Sequence, residues 1–222
     1  MSDIHGRADL LEQMFAVIDR DLAGTTNIRP LHVYLGDYID RGPETRETIE
    51  LLIDRARRHE SVFLKGNHEI MLCEVARNEA AFDSWCEFGG LQTLVSYGLR
   101  PSRRPEFPEQ KELVREMVDK IPTMHWHFFQ MLRPYFVCGD FFFAHAGVRP
   151  GVPLDQQKED DLCWIRAEFL ESTENFGKYI VHGHSPVISP DIRRNRINID
   201  TGAYATGNLT LLTIQGGRLL AV

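Results

Sequence analysis

The sequence predicts an α/β fold in which two sheets lie face to face, helices flank them, and a helical cap is inserted between the two halves. Three observations predict it. In the first third, short apolar runs end in polar loops that lead into amphipathic helical stretches; the middle is helical and interrupted by prolines; the second half is a series of short strand-like runs. The 222 residues are 43% hydrophobic, enough for one sizeable core, so residues 1–222 are read as a single domain with the cap at 77–133.

In chain order, Leu11, Met14, Phe15, Ile18 and Leu22 recur at helical spacing and predict an amphipathic helix over 8–22. LHVYL at 31–35 is short and bounded by turn residues, which predicts a buried strand. Pro43 is placed to open a helix whose apolar face continues through Ile49, Leu52, Ile53 and Ala56. VFLK at 62–65 predicts a second strand, GNHE a polar loop, and a further helix follows from 69. Prolines at 101, 105, 108 and 122 are expected to break the helical stretch of the cap. PYFVCGDFFFAHAG at 134–147 predicts two strands about a Gly139-Asp140 turn, and YIVHGH, RINID, LTLLTI and GRLLAV predict further short strands.

Composition removes several functional classes. The 32 acidic and 25 basic residues leave a net charge of −7, and the basic residues cluster only in RPSRRPEFP at 100–108, so binding of a nucleic-acid duplex through a basic face is not expected. Cys73, Cys86, Cys138 and Cys163 lie far apart with no C-x-x-C pair, which argues for reduced, mostly core thiols. None is followed six positions later by the arginine that a cysteine-nucleophile phosphatase requires. No apolar stretch approaches the ~20 residues that span a bilayer, and MSDIHGRADLL lacks a charged-then-apolar signal pattern. A cytoplasmic protein without a membrane partner is expected; nothing in the composition fixes an oligomeric state.

Charge then gathers where buried strands should exit. GDYIDRG at 36–42 follows LHVYL directly, and four other exits resemble it: Asp3 and His5 in SDIHG, Asn67 and His68 in GNHE, His145 in FFFAHAG, and His182 and His184 in IVHGHSP. One histidine after a strand is usually structural, but five such loops interleaved with glycines predict a site. The donors are oxygen and imidazole without thiolate, which suits manganese first, with iron or zinc as alternatives. They are too many for one ion. A pair of ions ~3.5–4 Å apart requires a bridging carboxylate, and Asp37 is the natural bridge.

In this order, DIHG, GDYIDRG, GNHE, HAG and HGH resemble the calcineurin-like metallophosphoesterases, with the match nearest the bacterial branch of the PPP-type serine/threonine phosphatases, next to symmetrical dinucleoside tetraphosphatases. The resemblance implies an αββα two-sheet sandwich and two divalent or trivalent ions. It places Asp3, His5 and Asp37 on the first ion, and Asp37, Asn67, His145 and His184 on the second. His182 is expected to give hydrogen-bonding support rather than to ligate. The implied chemistry is direct attack on phosphorus by a hydroxide shared between the ions, with no phosphoenzyme. His68 protonates the leaving oxygen and Asp40 orients it. Arg41 grips phosphate oxygens with its planar fork, and Arg166 is the second phosphate arginine, unless it is a helix-surface residue near Glu168 and Glu171.

Three functional readings follow. The first is a phosphomonoesterase acting on phosphoserine or phosphothreonine in proteins. Its rival is a dinucleoside polyphosphate hydrolase with the same metals, separated from it by the pocket that the cap shapes. A non-catalytic scaffold is the third, and it would be expected to have lost ligands or the acid histidine. HWHFF at 125–129 is expected in the core of the cap, His32 and His59 are expected to be structural or exposed, and DQQKEDD at 155–161 reads as a solvated loop. Members of the resembled family carry a full strand ahead of the Asp-Ile-His-Gly loop, whereas only Met1 and Ser2 precede Asp3 here. The expectation is either that residues ahead of Met1 are missing or that the first-metal support is weakened, with unpaired ladder groups costing roughly 1–3 kcal/mol each and stability and first-metal affinity regained by adding about six apolar residues.

Overall fold

The computed structural model describes residues 1–24 and 29–221. Helix α1 (Ala8–Ala23) buries Leu11, Phe15 and Ile18, the stripe its spacing predicts. Strand β1 (His32–Tyr34), helix α2 (Thr45–Arg58) and strand β2 (Ser61–Phe63) follow, and β1 pairs in parallel with β2, Val33 opposite Val62. Pro43 lies in the turn ahead of α2 rather than in its first turn. The amine of Met1 donates to the Val33 carbonyl (3.0 Å) and the Met1 carbonyl accepts from Leu35 N–H (2.9 Å), so residues 1–3 occupy the free edge of β1. Part of the ladder expected to be unpaired is therefore met by Met1 itself.

Helix α3 (Asn67–Val75) starts two residues earlier than the sequence suggests. The Glu69 carboxylate turns back to accept the Gly66 N–H at 3.0 Å and closes the helix N-terminus. Helices α4 (Phe82–Glu87), α5 (Gly90–Ser96), α6 (Phe107–Lys120) and α7 (Thr123–Gln130) form the segment expected as a cap. Pro108 sits in the first turn of α6 and opens that helix instead of breaking it. Trp85, Leu94, Met117 and Phe129 of this segment share one apolar cluster with Leu11, Ile49 and Leu52, so the inserted helices continue the layer built by α1 and α2.

Strands β3 (Tyr135–Cys138) and β4 (Phe141–Ala144) form the expected hairpin, Cys138 opposite Phe141. Then come α8 (Glu159–Trp164), α9 (Ala167–Leu170), β5 (Tyr179–His182), β6 (Asp191–Ile192), β7 (Arg196–Asn198), α10 (Ala203–Thr206), and a hairpin of β8 (Thr213–Gln215) with β9 (Arg218–Ala221). The main sheet runs β3-β4-β5-β7-β6, with β4, β5 and β7 parallel. LTLLTI yields a strand only from Thr213, because Leu209 and Leu211 turn to pack on the helical cluster. Val222, the end of the GRLLAV run, lies outside the described residues. Cys138 is exposed, against the expectation of mostly core thiols.

The layers follow from alternation along β4. Phe141 and Phe143 face Leu35, Val62 and Leu64 across the space between the two sheets, while Phe142 and Ala144 face Leu162, Cys163 and Phe169 beneath α8 and α9. The result is helices, sheet, sheet, helices. Because β1, β2, β4, β5 and β7 run parallel within their sheets, the loops after them emerge together at the strands' C-terminal ends, where polar side chains can converge.

Candidate functional site

The loops after β1, β2, β4 and β5, joined by residues 3–5, bring the predicted side chains into one buried cluster. Asp37 lies at its centre. Its Oδ2 is 3.4 Å from His145 Nε2 and 3.7 Å from the Nε2 atoms of both His5 and His68. Two sets of donors share it: His5, Asp37 and His68, and Asp37, His145 and His184, each set with its atoms within 4.8 Å of one another.

The backbone is bent to achieve this. Among the described residues, the non-glycine positions with left-handed φ are Asp3, His5, Asp37, Asp40, Arg41 and His184, all in this cluster. Such φ values are unfavourable for side chains with a Cβ, and they concentrate where strain serves a site. Gly66 lets the loops close: a Cβ there would land on the Asp37 carboxylate.

Second contacts fix the ring orientations. His5 Nδ1 donates to the Ile39 carbonyl (2.8 Å) and His145 Nδ1 to the Leu35 carbonyl (2.9 Å), which leaves each Nε2 lone pair aimed inward. His145 Nε2 stands 3.0 Å from Asn67 Oδ1 and 3.1 Å from His184 Nδ1. The Asp3 carboxylate accepts the His184 N–H at 3.2 Å and also the Ser2 hydroxyl. Asp3 belongs to neither donor set, and neither does His182. His182 is buried edge-on against Phe169 at 4.9 Å, with Nδ1 beside the Gly183 carbonyl.

The electrostatics are those of a cation-seeking cage. Burial, then the neighbouring Asp200 and Asp37 charges, push Asp3 well above the carboxylate range. Burial lowers His145, but the Asp37 charge and hydrogen bond overrule it and raise the ring to about 10. Burial and then His145 push His184 down to about 2. The Nε2 atoms of His68 and His184 are buried without a hydrogen-bond partner. Crowded carboxylates, inward lone pairs and unpartnered imidazole nitrogens fit a pair of divalent ions and lack the thiolates that would favour softer ones.

His68 and Asp40 form a separate dyad, Nδ1 to Oδ2 at 2.8 Å. Burial pulls the His68 pKa down, yet Asp37 and Asp40 hold it above its ordinary value. The sequence reading missed what holds Asp40. Trp85 Nε1 donates to its Oδ2 (2.8 Å) and the Thr93 hydroxyl donates to its Oδ1 (2.6 Å). It also missed Glu69, whose carboxylate accepts the N–H groups of Asp37 (3.0 Å) and Tyr38 (2.8 Å), and Asp200, buried at the end of β7 and pushed up to about 6 by burial and, more weakly, Asp37. The Glu three residues past Gly66 was a legible capping pattern; Trp85 and Thr93 carried no local signal.

The rim completes the site. Arg41 stands over the Tyr204 ring, and Arg166 Nη1 donates to Ser185 Oγ at 3.0 Å, beside His184. Phe88 lies edge-on to His68 at 6.0 Å, and Trp164, 36% exposed, edge-on to His184 at 6.2 Å. HWHFF contributes nothing here; His125, Phe128 and Phe129 are buried in α7.

Comparison with known proteins agrees with this geometry. A family profile for calcineurin-like phosphoesterases matches residues 1–206. The asymmetrical bis(5'-nucleosyl)-tetraphosphatase PrpE of Anoxybacillus flavithermus is 25% identical over 233 residues, covering 96% of this chain and 88% of its own. That of Geobacillus thermodenitrificans is 26% identical over 238 residues, with the same coverage of 96% and 88%. Among solved structures, one assigned provisionally as a diadenosine tetraphosphatase superposes with a TM-score of 0.66 at 19% identity, covering all of this chain and 90% of the other. A cold-active protein tyrosine phosphatase gives 0.62 at 16% identity, over 99% of this chain and 73% of the other. At these identities the structures establish a shared fold.

Proposed function

The chain belongs to the calcineurin-like phosphoesterase family, and from that premise we propose that it is a two-metal hydrolase whose substrates are dinucleoside polyphosphates. The observation that carries the catalytic part is Asp37 Oδ2, within 3.7 Å of three imidazole nitrogens contributed by three different loops. Asp3, His5 and Asp37 would hold one ion, and Asp37, Asn67, His145 and His184 the other. Divalent cations held there would supply Lewis acidity, which lowers the pKa of water towards neutrality and withdraws charge from a phosphoryl oxygen.

The chain's own residues do the rest. Arg41, over Tyr204, and Arg166, beside His184, clamp phosphoryl oxygens through planar N–H pairs. As the new P–O bond forms and the old one breaks, His68 donates a proton from Nε2 to the departing oxygen. Asp40 at Nδ1 holds the ring in place and stabilises its charged form. His68 itself is fully buried, edge-on to Phe88.

The substrate class draws on the curated relatives, two of which span most of this chain under the name asymmetrical bis(5'-nucleosyl)-tetraphosphatase. The partly exposed Trp164 at the rim supports it, since nucleobases stack on such side chains. Phosphoserine or phosphothreonine in proteins remains the second reading, favoured by the run GDYIDRG with GNHE. The test is kcat/KM for the manganese-loaded protein on diadenosine tetraphosphate and on phosphoserine and phosphothreonine peptides. A preference for the dinucleotide by a factor of ten or more is expected on the order of one stacking contact; a preference for the peptides overturns the substrate assignment and leaves the catalytic one standing.

A further inference from the structure

We propose that Tyr204 is a positioning residue for the phosphate clamp, its ring forming a platform that holds the Arg41 guanidinium in gripping orientation. This rests on the reading of Arg41 as a phosphate ligand. Arg41 Cζ lies 4.7 Å from the Tyr204 ring centroid, and the same ring stands edge-on to His5 at 5.4 Å. Gly89 packs against the backbone and the stem of the same arginine. The Gly89 carbonyl accepts the Arg41 N–H at 3.1 Å, and a Cβ added there would come within 2.9 Å of Arg41 Cγ.

Arg41 needs such a platform. Among the described residues no carboxylate lies within ion-pair distance of it, and its φ is 66°, so neither charge pairing nor a relaxed backbone sets its direction. Stacking does so without competing with substrate. An aromatic ring engages the face of a guanidinium, and a phosphate engages the N–H donors in its plane, so both can be satisfied together.

The platform is itself anchored. Tyr204 belongs to the single turn of α10, set between Gly202 and Gly207, both with left-handed φ. The Asp200 carboxylate accepts the Gly202 N–H (2.9 Å), and Arg7 Nη1 donates to the Ala203 carbonyl (3.1 Å), tying this turn to the start of α1. Tyr204 is 39% exposed, so it stands at the mouth of the site and is not part of the packed core.

The experiment measures binding of inorganic phosphate by calorimetry to the manganese-loaded protein, and KM and kcat on one small phosphoester, for Tyr204→Ala, Tyr204→Leu, Tyr204→Phe, Arg41→Ala and the double variant Tyr204→Ala/Arg41→Ala. Tyr204→Ala and Tyr204→Leu are expected to weaken phosphate binding and raise KM by roughly 3- to 30-fold, with kcat less affected and bound metal unchanged. Tyr204→Phe should stay within about twofold of the parent, since the ring face is retained, and the double variant should match Arg41→Ala. The proposal is overturned if Tyr204→Leu binds phosphate like the parent, if Tyr204→Phe fails as badly as Tyr204→Ala, if the two effects add in full, or if the loss follows loss of metal through His5. Arg41→Ala with unimpaired phosphate binding refutes the clamp reading itself.

Discussion

The Asp40 carboxylate meets His68 Nδ1 at 2.8 Å with both side chains wholly buried, and its remaining acceptor capacity is taken by Trp85 and Thr93. A buried carboxylate gripped by three donors is immobile, so it can fix the tautomer and direction of the ring it touches. The proposed acid, His68, is thus aimed by residues from α4 and α5.

His68→Ala should lower kcat by roughly 10²–10⁴-fold while metal binding is kept. The loss should be larger on a phosphoserine peptide than on a dinucleoside polyphosphate, because an alkoxide needs the proton more than a phosphate leaving group does. Asp40→Asn, which keeps the acid and weakens only its support, should give a smaller loss, on the order of 10–100-fold, below the 10²–10⁴ of removing the acid itself. Steady-state kinetics on both substrates, with metal content by elemental analysis, checks this; unchanged kcat in His68→Ala would remove His68 from the reaction.

Stability of the metal-free protein should fall on both sides of neutrality. His5, His182 and His184 are held at about 3, about 3 and about 2 by burial. These depressed values mean stability that is fully present above the ordinary 6.5 and lost as pH falls towards them. Glu69, raised to about 7 by burial and Asp37, and Asp200, raised to about 6, act in the opposite sense and blunt that slope. On the alkaline side His145, raised to about 10, holds stability that is complete below 6.5 and lost as pH climbs to its folded value. Manganese should remove the alkaline loss, since the cation takes the place of that proton. Thermal melts across pH with and without manganese would show it, and an alkaline slope indifferent to the metal would contradict it.

Glu69→Gln should destabilise the fold by roughly 1–3 kcal/mol, because the amide nitrogen of glutamine cannot accept and one of the N–H groups of Gly66, Asp37 or Tyr38 is left unpaired in the interior. The Asp37 loop is freed at the same time, so cation affinity should fall with stability. Urea unfolding and metal titration of the variant test the pair of effects. A variant as stable as the parent, with undiminished affinity, would mean that those N–H groups find water instead.

Much of this was legible in the chain itself. The helical stripe of α1, the hairpin about Gly139-Asp140 and the five donor-bearing loops are patterns of near neighbours, and local patterns survive folding. The helical character of 77–133 was recognisable, but Trp85 and Thr93, 45 and 53 residues from Asp40, have nothing in their surroundings to mark them. Tyr204 reads as an ordinary aromatic in a glycine-rich turn. Pro108 was misread because a proline breaks a helix or opens one according to its position in the first turn, and that position depends on where Phe107 begins α6.

The order of residues determined which chemistries are available: oxygen and imidazole donors, no paired thiols, and every donor loop but that of Asp3 and His5 placed just beyond a strand. Only the folded chain decided that Asp37 faces three rings at once and that Arg41 lies across Tyr204. The reason is physical. Parallel pairing delivers the strand ends to one edge whatever their separation in the chain, but the direction of each side chain there depends on left-handed backbone turns and on packing from remote helices, and no short stretch of sequence encodes either.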